Sequence, residues 1–188
     1  MKVVAALVLT SFVLVVAIGA AMTTAVPATD AAPVAFPSQL PRVATQFVGF
    51  SGGCTVPDPT GTGGCVTPAT AWLLGEVTRA FGPLPTSCWD EHAWNPSSDH
   101  RRGRGCDITF GRLGQFPSPP DVDRGWMVAA WLQGNADALR VRYLIWQGRI
   151  WHAARADEGW LPYTGGGVYD PTDATGGHFD HIHVSTST

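Results

Sequence analysis

Two short segments of this chain combine the residue types that bind metals and transfer protons. The first runs from Ser98 to Asp107 with the sequence SDHRRGRGCD, and the second runs from His178 to His183 with the sequence HFDHIH. Together they contain four of the six histidines of the chain. A catalytic zinc keeps three protein ligands, usually imidazole or carboxylate groups, and leaves a fourth position for water. The two segments therefore predict a metal-dependent hydrolase.

The spacing within the first segment allows two ligands to meet. His100 and Asp107 lie seven residues apart in the sequence, with Gly103 and Gly105 between them. Glycine tolerates sharply turned backbone, so both side chains can face one point. We expect a short strand from Asp107 to Phe110 that turns alternate side chains into the core.

The second segment is expected to form the last strand, from His181 to Ser185. Alternate residues of a strand lie on one face, so His181 and His183 should point into the same cleft. Asp180 then has to lie on the loop just before that strand.

Taken together, the two segments resemble the VanY-like and D-Ala-D-Ala carboxypeptidase zinc peptidases, which share the Hedgehog/DD-peptidase fold. The family pattern S-x-H-x-x-G-x-A-x-D matches Ser98 to Asp107, with Gly105 in place of the alanine. The later E-x-x-H or H-x-H matches His181 to His183, with Asp180 in place of the glutamate. The sequence IWQGRIW at residues 145–151 is also similar to a hairpin of secreted VanY-like domains.

The resemblance implies a Zn²⁺ ion held by His100, Asp107 and His183, with a metal-activated water attacking a peptide carbonyl. The implied substrate is a peptidoglycan stem peptide or cross-link, cut in the manner of a D,D-carboxypeptidase or an endopeptidase. His181 and Asp180 are rival candidates for the acid/base group. We favour His181, with Asp180 assisting, because aspartate has a shorter arm than the family's glutamate.

The residues that would bind the substrate are less well defined than the metal ligands. Many relatives place an arginine before the first motif to bind a substrate carboxylate, but this chain has none between Gly82 and Ser98. The role would fall to Arg101, Arg102 or Arg149. Ser98 is a further substrate-binding candidate, although serine is also a common turn former.

These departures keep a second function open, a catalytically silent cell-wall binding or regulatory module that retains the fold and its metal. Nucleic-acid binding is excluded, because the net charge is −3 and the only lysine is Lys2. The resemblance implies peptidoglycan peptides as partners, and we expect a monomer.

The N-terminal region has the composition of an export segment. One lysine is followed by an apolar run from Val3 to Met22, which predicts a signal peptide over residues 1–28 or, alternatively, a membrane anchor. Residues 29–46 are an Ala/Pro/Thr-rich linker, and residues 47–188 form the peptidase domain. We expect the protein to be secreted or associated with the cell wall, with membrane contact only through the N-terminal segment.

The four cysteines suit an exported protein and are expected to form disulfides. Of the three pairings, we favour Cys54–Cys65, which closes a Gly/Pro-rich loop, and Cys88–Cys106, which fastens the approach to Ser98 beside Asp107. No CxxC spacing supports a zinc site built from cysteines.

The remaining pattern predicts an α+β fold, a small antiparallel sheet with flanking helices. We expect helices from Ala69 to Phe81, begun by Thr67 and Pro68, and from Trp126 to Leu139. A hairpin should join strands 141–146 and 149–152 through Gln147-Gly148.

Overall fold

The protein is described by a computed structural model over residues 41–188, which form an α+β domain. The expected signal or anchor segment and most of the expected linker lie outside the described residues. The elements, in chain order, are β1 Val56–Pro57, β2 Cys65–Val66, α1 Pro68–Phe81, β3 Thr86–Ser87, β4 Gly105–Thr109, α2 Pro119–Gly134, α3 Ala136–Leu139, β5 Val141–Trp146, β6 Arg149–His152, β7 Leu161–Pro162 and β8 His181–Thr186. Two 3₁₀ helices follow β6 and β7, at Ala153–Glu158 and Gly165–Gly167.

A six-stranded antiparallel sheet organises the domain, in the order β3-β4-β8-β5-β6-β7. The last strand therefore lies at the centre of the sheet, between β4 and β5. This arrangement confirms the predicted α+β class with a small antiparallel sheet and flanking helices.

The two faces of the sheet have different roles. One face contributes fully buried apolar side chains, including Ile108, Leu144 and Ile182, to a core shared with α1 and α2. Because strand residues alternate between faces, the intervening positions of β4 and β8 carry Asp107 and the histidines on the opposite face. Burial of the first face fixes the register of the second.

Helix α1 begins and ends as the sequence predicts. The Thr67 side chain accepts a hydrogen bond from the backbone N–H of Thr70, and Pro68 occupies the first turn. The helix ends at Gly82, whose positive φ of 77° suits glycine.

Helix α2 begins at Pro119, seven residues before the predicted start at Trp126, which corrects the prediction. Ser118 has an extended backbone, and the two prolines that follow it occupy the first turn with Asp121. The predicted helix did not include these prolines, although proline fits a helix start because the first N–H groups of a helix have no intrahelical partner. The helical segment is also interrupted at Asn135, which separates α2 from α3.

The strands agree closely with the predicted positions. The hairpin of β5 and β6 turns at Gln147 and Gly148, which both have positive φ. Strand β4 begins two residues earlier than predicted, at Gly105, because it pairs with β8 up to Ser185. The two-residue strands β1, β2, β3 and β7 are too short to give a periodic signal and were not predicted.

Both predicted disulfides are confirmed, Cys54–Cys65 and Cys88–Cys106. Paired cysteines are typical of an extracellular location. Within residues 41–188, no helix combines the length and the apolar character needed to cross a bilayer.

The last residues of the expected linker contact the helices. The carbonyl of Arg42 accepts a hydrogen bond from the Trp131 indole, and the backbone N–H of Ala44 donates to Asn135. The backbone N–H of Phe47 donates to the carbonyl of Ala138. Residues 42–47 are therefore held against the helices by hydrogen bonds.

Candidate metal centre

The pairing of β4 with β8 brings the first two candidate ligands together. Asp107 and His183 are directly opposite each other in the ladder, and the Asp107 Oδ1 atom lies 2.9 Å from His183 Nδ1. Paired side chains on one face of an antiparallel sheet are close by construction. The register therefore places a carboxylate beside an imidazole without help from any loop.

His100 joins this pair from the turn that precedes β4. Its Nε2 atom lies 3.1 Å from His183 Nδ1 and 3.3 Å from Asp107 Oδ1. The close approach depends on Gly105, because a Cβ atom there would lie 2.9 Å from the His100 backbone nitrogen and 3.1 Å from the His183 ring. Gly105 is thus required for close packing, whereas Gly103 supplies a positive φ of 67°.

The three donor atoms fit a tetrahedral divalent metal ion. Metal–ligand bonds of about 2.0–2.1 Å at tetrahedral angles put neighbouring donor atoms roughly 3.3 Å apart. The observed separations of 2.9, 3.1 and 3.3 Å lie at or slightly below that value. The other ring nitrogen of His100, Nδ1, contacts the Cys88 carbonyl and must donate to it, which leaves Nε2 free to bind a cation. His100, Asp107 and His183 therefore form a candidate metal-binding cluster.

The electrostatics of the cluster favour a cation. Burial raises the pKa of Asp107, but the neighbouring His100 and His181 hold it well below its usual range. Burial lowers the pKa of His100, and the charge of Asp107 outweighs burial and raises it to about 9. Burial also lowers the pKa of His183. The anionic carboxylate thus attracts positive charge, which a proton on His100 or a metal ion can supply.

His181 lies beside the cluster and is held in place by Asp180. The Asp180 Oδ1 atom is 2.6 Å from His181 Nδ1, and Oδ2 accepts hydrogen bonds from the Gly114 backbone N–H and the Thr175 hydroxyl. Asp180 is fully buried, whereas His181 Nε2 faces the cluster at 3.6 Å from Asp107 Oδ1. The geometry therefore leaves the imidazole, rather than the carboxylate, facing the metal position.

A fourth histidine of the two segments, His178, packs against the same group. Its ring lies 4.6 Å from that of His181 and 5.7 Å from that of His183. Burial and the charges of His181 and His183 lower its pKa to about 3, so the ring is neutral at physiological pH. Its Nδ1 atom is buried and has no hydrogen-bond partner among residues 41–188.

Three residues near the cluster were not predicted from the sequence. The buried Ser185 hydroxyl lies 3.1 Å from His183 Nε2 and donates to Asp99. Asp99 also accepts from Arg104 and from the Tyr143 hydroxyl, and the Tyr143 ring stacks on His183 at 5.4 Å. Ser185 could have been found, since it is two residues from His183 on the same strand face. The position of Asp99 depends on a turn and gives no periodic signal.

The predicted substrate-binding residues are not gathered at the cluster. Ser98 is buried, and its hydroxyl accepts from the His100 backbone N–H, as a turn former does. Arg101 and Arg102 are exposed on the turn after His100, and Arg102 lies 4.0 Å from Asp99. Arg149 pairs with Trp146, which places it on the sheet face opposite His183.

The chain matches a known family model. Residues 62–175, more than half of the chain, match the family model described as VldE, C-terminal domain. The matched range includes His100 and Asp107 and ends before His178. No curated protein and no solved structure matches the chain. The chain therefore belongs to the family of the VldE C-terminal domain.

Proposed function

We propose that this protein is a zinc-dependent peptidase with a VanY-like, Hedgehog/DD-peptidase-type domain, acting on peptidoglycan stem peptides or cross-links. The observation that carries the proposal is the convergence of His100 Nε2, Asp107 Oδ1 and His183 Nδ1 within 3.3 Å of one another. Two neutral imidazoles and one carboxylate form a donor set typical of catalytic zinc. When bound, zinc would lower the pKa of its water to about 7 and polarise the substrate carbonyl.

The chain supplies an acid/base group next to this centre. His181 Nδ1 contacts the buried Asp180, so its Nε2 atom is directed to the cluster. Burial lowers the pKa of His181, but Asp107 and Asp180 outweigh it and raise the pKa above the ordinary value. An imidazole so placed can accept the proton of an attacking water and return it to the leaving amine. Asp180 acts through His181 by fixing the orientation of the ring.

The sheet also offers a surface for an extended substrate. A row of side chains crosses the strands from Asp107 through His183 to Ile145, Ile150 and Leu161, as the ladder partners of successive strands. Ile150 and Leu161 are half-buried and lie on the face opposite the main core. Ile145 and His183 are themselves buried, so a peptide whose carbonyl reaches the metal position would place its side chains against the half-buried Ile150 and Leu161.

The cell-wall substrate rests on the sequence resemblance and on the expected export of the chain. Two disulfides in a small domain agree with an extracellular place of action. Arg104 and Arg142 contact Asp99, and the candidate arginines Arg101, Arg102 and Arg149 are not gathered at the cluster to recognise a terminal carboxylate. We therefore favour cleavage within a cross-link over removal of a C-terminal residue.

The proposal is tested with muropeptides of known structure. The purified protein, loaded with one equivalent of zinc, is incubated with cross-linked dimers and with monomeric pentapeptides, and the products are identified by mass spectrometry. We expect cleavage of dimers, abolished by a chelator, restored by zinc and absent from His183→Ala. His152→Ala, which changes a histidine outside the cluster, serves as the control for zinc content.

Two results would contradict the proposal. A wild-type protein that binds zinc stoichiometrically and leaves all muropeptides intact would support the silent cell-wall module. A His183→Ala protein that binds zinc as tightly as the wild type would show that His100, Asp107 and His183 do not form the metal centre.

A further inference from the structure

His183 has two competing hydrogen-bond partners, and only one of them leaves its metal-binding nitrogen free. Nδ1 faces Asp107 Oδ1 at 2.9 Å, while Nε2 faces the Ser185 hydroxyl at 3.1 Å. A neutral imidazole carries one N–H, so it can donate to Asp107 or to Ser185 but not to both. If the proton sits on Nδ1, the nitrogen beside Asp107 and His100 cannot bind a metal.

The hydrogen bonds of Ser185 settle which partner is favoured. A serine hydroxyl has one proton, and the Ser185 Oγ atom lies 2.9 Å from Asp99 Oδ2. An ionised carboxylate only accepts hydrogen bonds, so the serine proton goes to Asp99. The Ser185 oxygen is then left to accept, and His183 Nε2 lies within reach to donate an N–H to it. The Tyr143 hydroxyl also contacts Ser185, but its proton goes to Asp99.

Asp99 is held in this accepting role from several sides. Its Oδ1 atom is 2.6 Å from Arg104 Nη2, and its Oδ2 atom is 3.1 Å from the Tyr143 hydroxyl. Both Asp99 and Ser185 are buried, at 5 % and 0 % exposure, so water does not replace these contacts. The Tyr143 ring also stacks on His183 at an interplanar angle of 20°, which restricts rotation of the imidazole.

We propose that Asp99 and Ser185 are positioning residues that keep the His183 proton on Nε2 and so keep Nδ1 available for the metal. The chain of donors runs from His183 Nε2–H to Ser185 and from the Ser185 O–H to Asp99. This inference rests on the metal centre of the proposed function, but it does not depend on which bond, if any, is cleaved. Mutation of the hydrogen-bond partners of metal-bound histidines commonly weakens metal binding by about ten- to hundredfold.

The test uses two readouts on the purified protein, neither of which is activity. Long-range ¹H–¹⁵N correlation spectra of the metal-free protein report which nitrogen of His183 is protonated, and competition with a chromophoric chelator gives the zinc affinity. We expect the Nε2–H form in the wild type. In Ser185→Ala, we expect a shift toward the Nδ1–H form, together with about ten- to hundredfold weaker zinc binding.

Matched variants separate this role from a loss of packing. Thr186→Val removes a buried hydroxyl from the same strand. Because that hydroxyl forms a hydrogen bond with Thr70 on the other face of the sheet, its loss should leave the zinc affinity unchanged even if stability falls. Ser185→Thr keeps a hydroxyl and should restore the Nε2–H form. Asp99→Asn should weaken zinc binding, and adding it to Ser185→Ala should cause little further loss, because both residues act through one chain of hydrogen bonds.

The inference is overturned if folded Ser185→Ala keeps the Nε2–H form and binds zinc as the wild type does. It is also overturned if the losses from Ser185→Ala and Asp99→Asn add in full, since Asp99 would then act by another route. Wild-type protein that binds zinc in the expected way but cleaves no muropeptide would count against the proposed function alone.

Discussion

At the scale of single residues, the two carboxylates near the cluster have separate roles. Asp107 is partly exposed and faces the metal position, whereas Asp180 is fully buried and uses both oxygens in hydrogen bonds. A buried carboxylate whose oxygens are occupied orients its partner and does not exchange protons with substrate. Asp180 therefore contacts the side of the His181 ring that is turned away from the metal position.

This division leads to a prediction for the acid/base pair. His181→Gln should retain one equivalent of zinc while kcat/KM for muropeptides falls by about 10²–10⁴-fold, because the proton acceptor is removed but the three ligands remain. Asp180→Asn should cause a smaller fall in kcat/KM. It should also lower the melting temperature, because the Gly114 and Thr175 donors lose a charged acceptor. Loss of the bound zinc from His181→Gln would contradict the assignment of His181 as an acid/base group rather than a metal ligand.

Gly103 offers a second test at the residue scale. Its φ is 67°, and a Cβ atom there would lie 2.5 Å from Cys54 Sγ and 2.7 Å from the Val66 Cα atom. Gly103→Ala should therefore lower the free energy of unfolding by about 2 kcal/mol or more. Gly75→Ala, in helix α1 where nothing lies within 4 Å, should raise it by about 1 kcal/mol. Chemical denaturation of the two variants measures the difference, and a stable Gly103→Ala would contradict the argument.

At the scale of elements, local patterns predicted most of the site but not its assembly. The spacing of His181 and His183 predicts their common face, because strand periodicity is local. The pairing of Asp107 with His183, which are 76 residues apart, depends on strand order and register. Neither is readable from a single sequence, so Tyr143 and Asp99 could not be placed near His183. The early start of α2 differs from the prediction for a local reason, because its first turn is formed by prolines, which carry no helical periodicity of apolar residues.

The two disulfides allow a prediction at this scale, because only one of them adjoins the metal ligands. Cys88 provides the carbonyl that contacts His100 Nδ1, and Cys106 precedes Asp107 on β4. Replacing both Cys88 and Cys106 by serine should lower stability by about 3 kcal/mol and also weaken zinc binding. Replacing Cys54 and Cys65, which are 11 residues apart rather than 18, should lower stability somewhat less, with a much smaller effect on zinc affinity.

Calorimetry and chelator competition on the two double variants make this comparison. Equal zinc affinities in both folded variants would show that the Cys88–Cys106 bond does not hold His100 in place. A loss of zinc from the Cys54 and Cys65 variant alone would contradict the expected role of each loop.

At the scale of the whole molecule, the sheet separates two regions with different roles. The metal ligands lie on one face, and α1, α2 and α3 lie with the main core on the other. Residues 42–47 bind all three helical regions. Besides the contacts of Arg42, Ala44 and Phe47, the backbone N–H of Thr45 donates to Glu76 and its carbonyl accepts from the Trp72 indole. This segment therefore fastens the helices to one another far from the histidines.

A chain that starts at Val48 should accordingly be less stable than one that starts at Pro41, yet bind zinc equally well. Loss of six hydrogen bonds, two of them donated by the indoles of Trp72 and Trp131, should cost about 2–4 kcal/mol and lower the melting temperature by roughly 5–10 °C. The zinc dissociation constant, measured well below both melting temperatures, should agree within a factor of about two, because the ligand register is set by β4 and β8 and not by the helices. Weaker zinc binding by the shorter chain would show instead that the helical face and the metal face are coupled through the central strand.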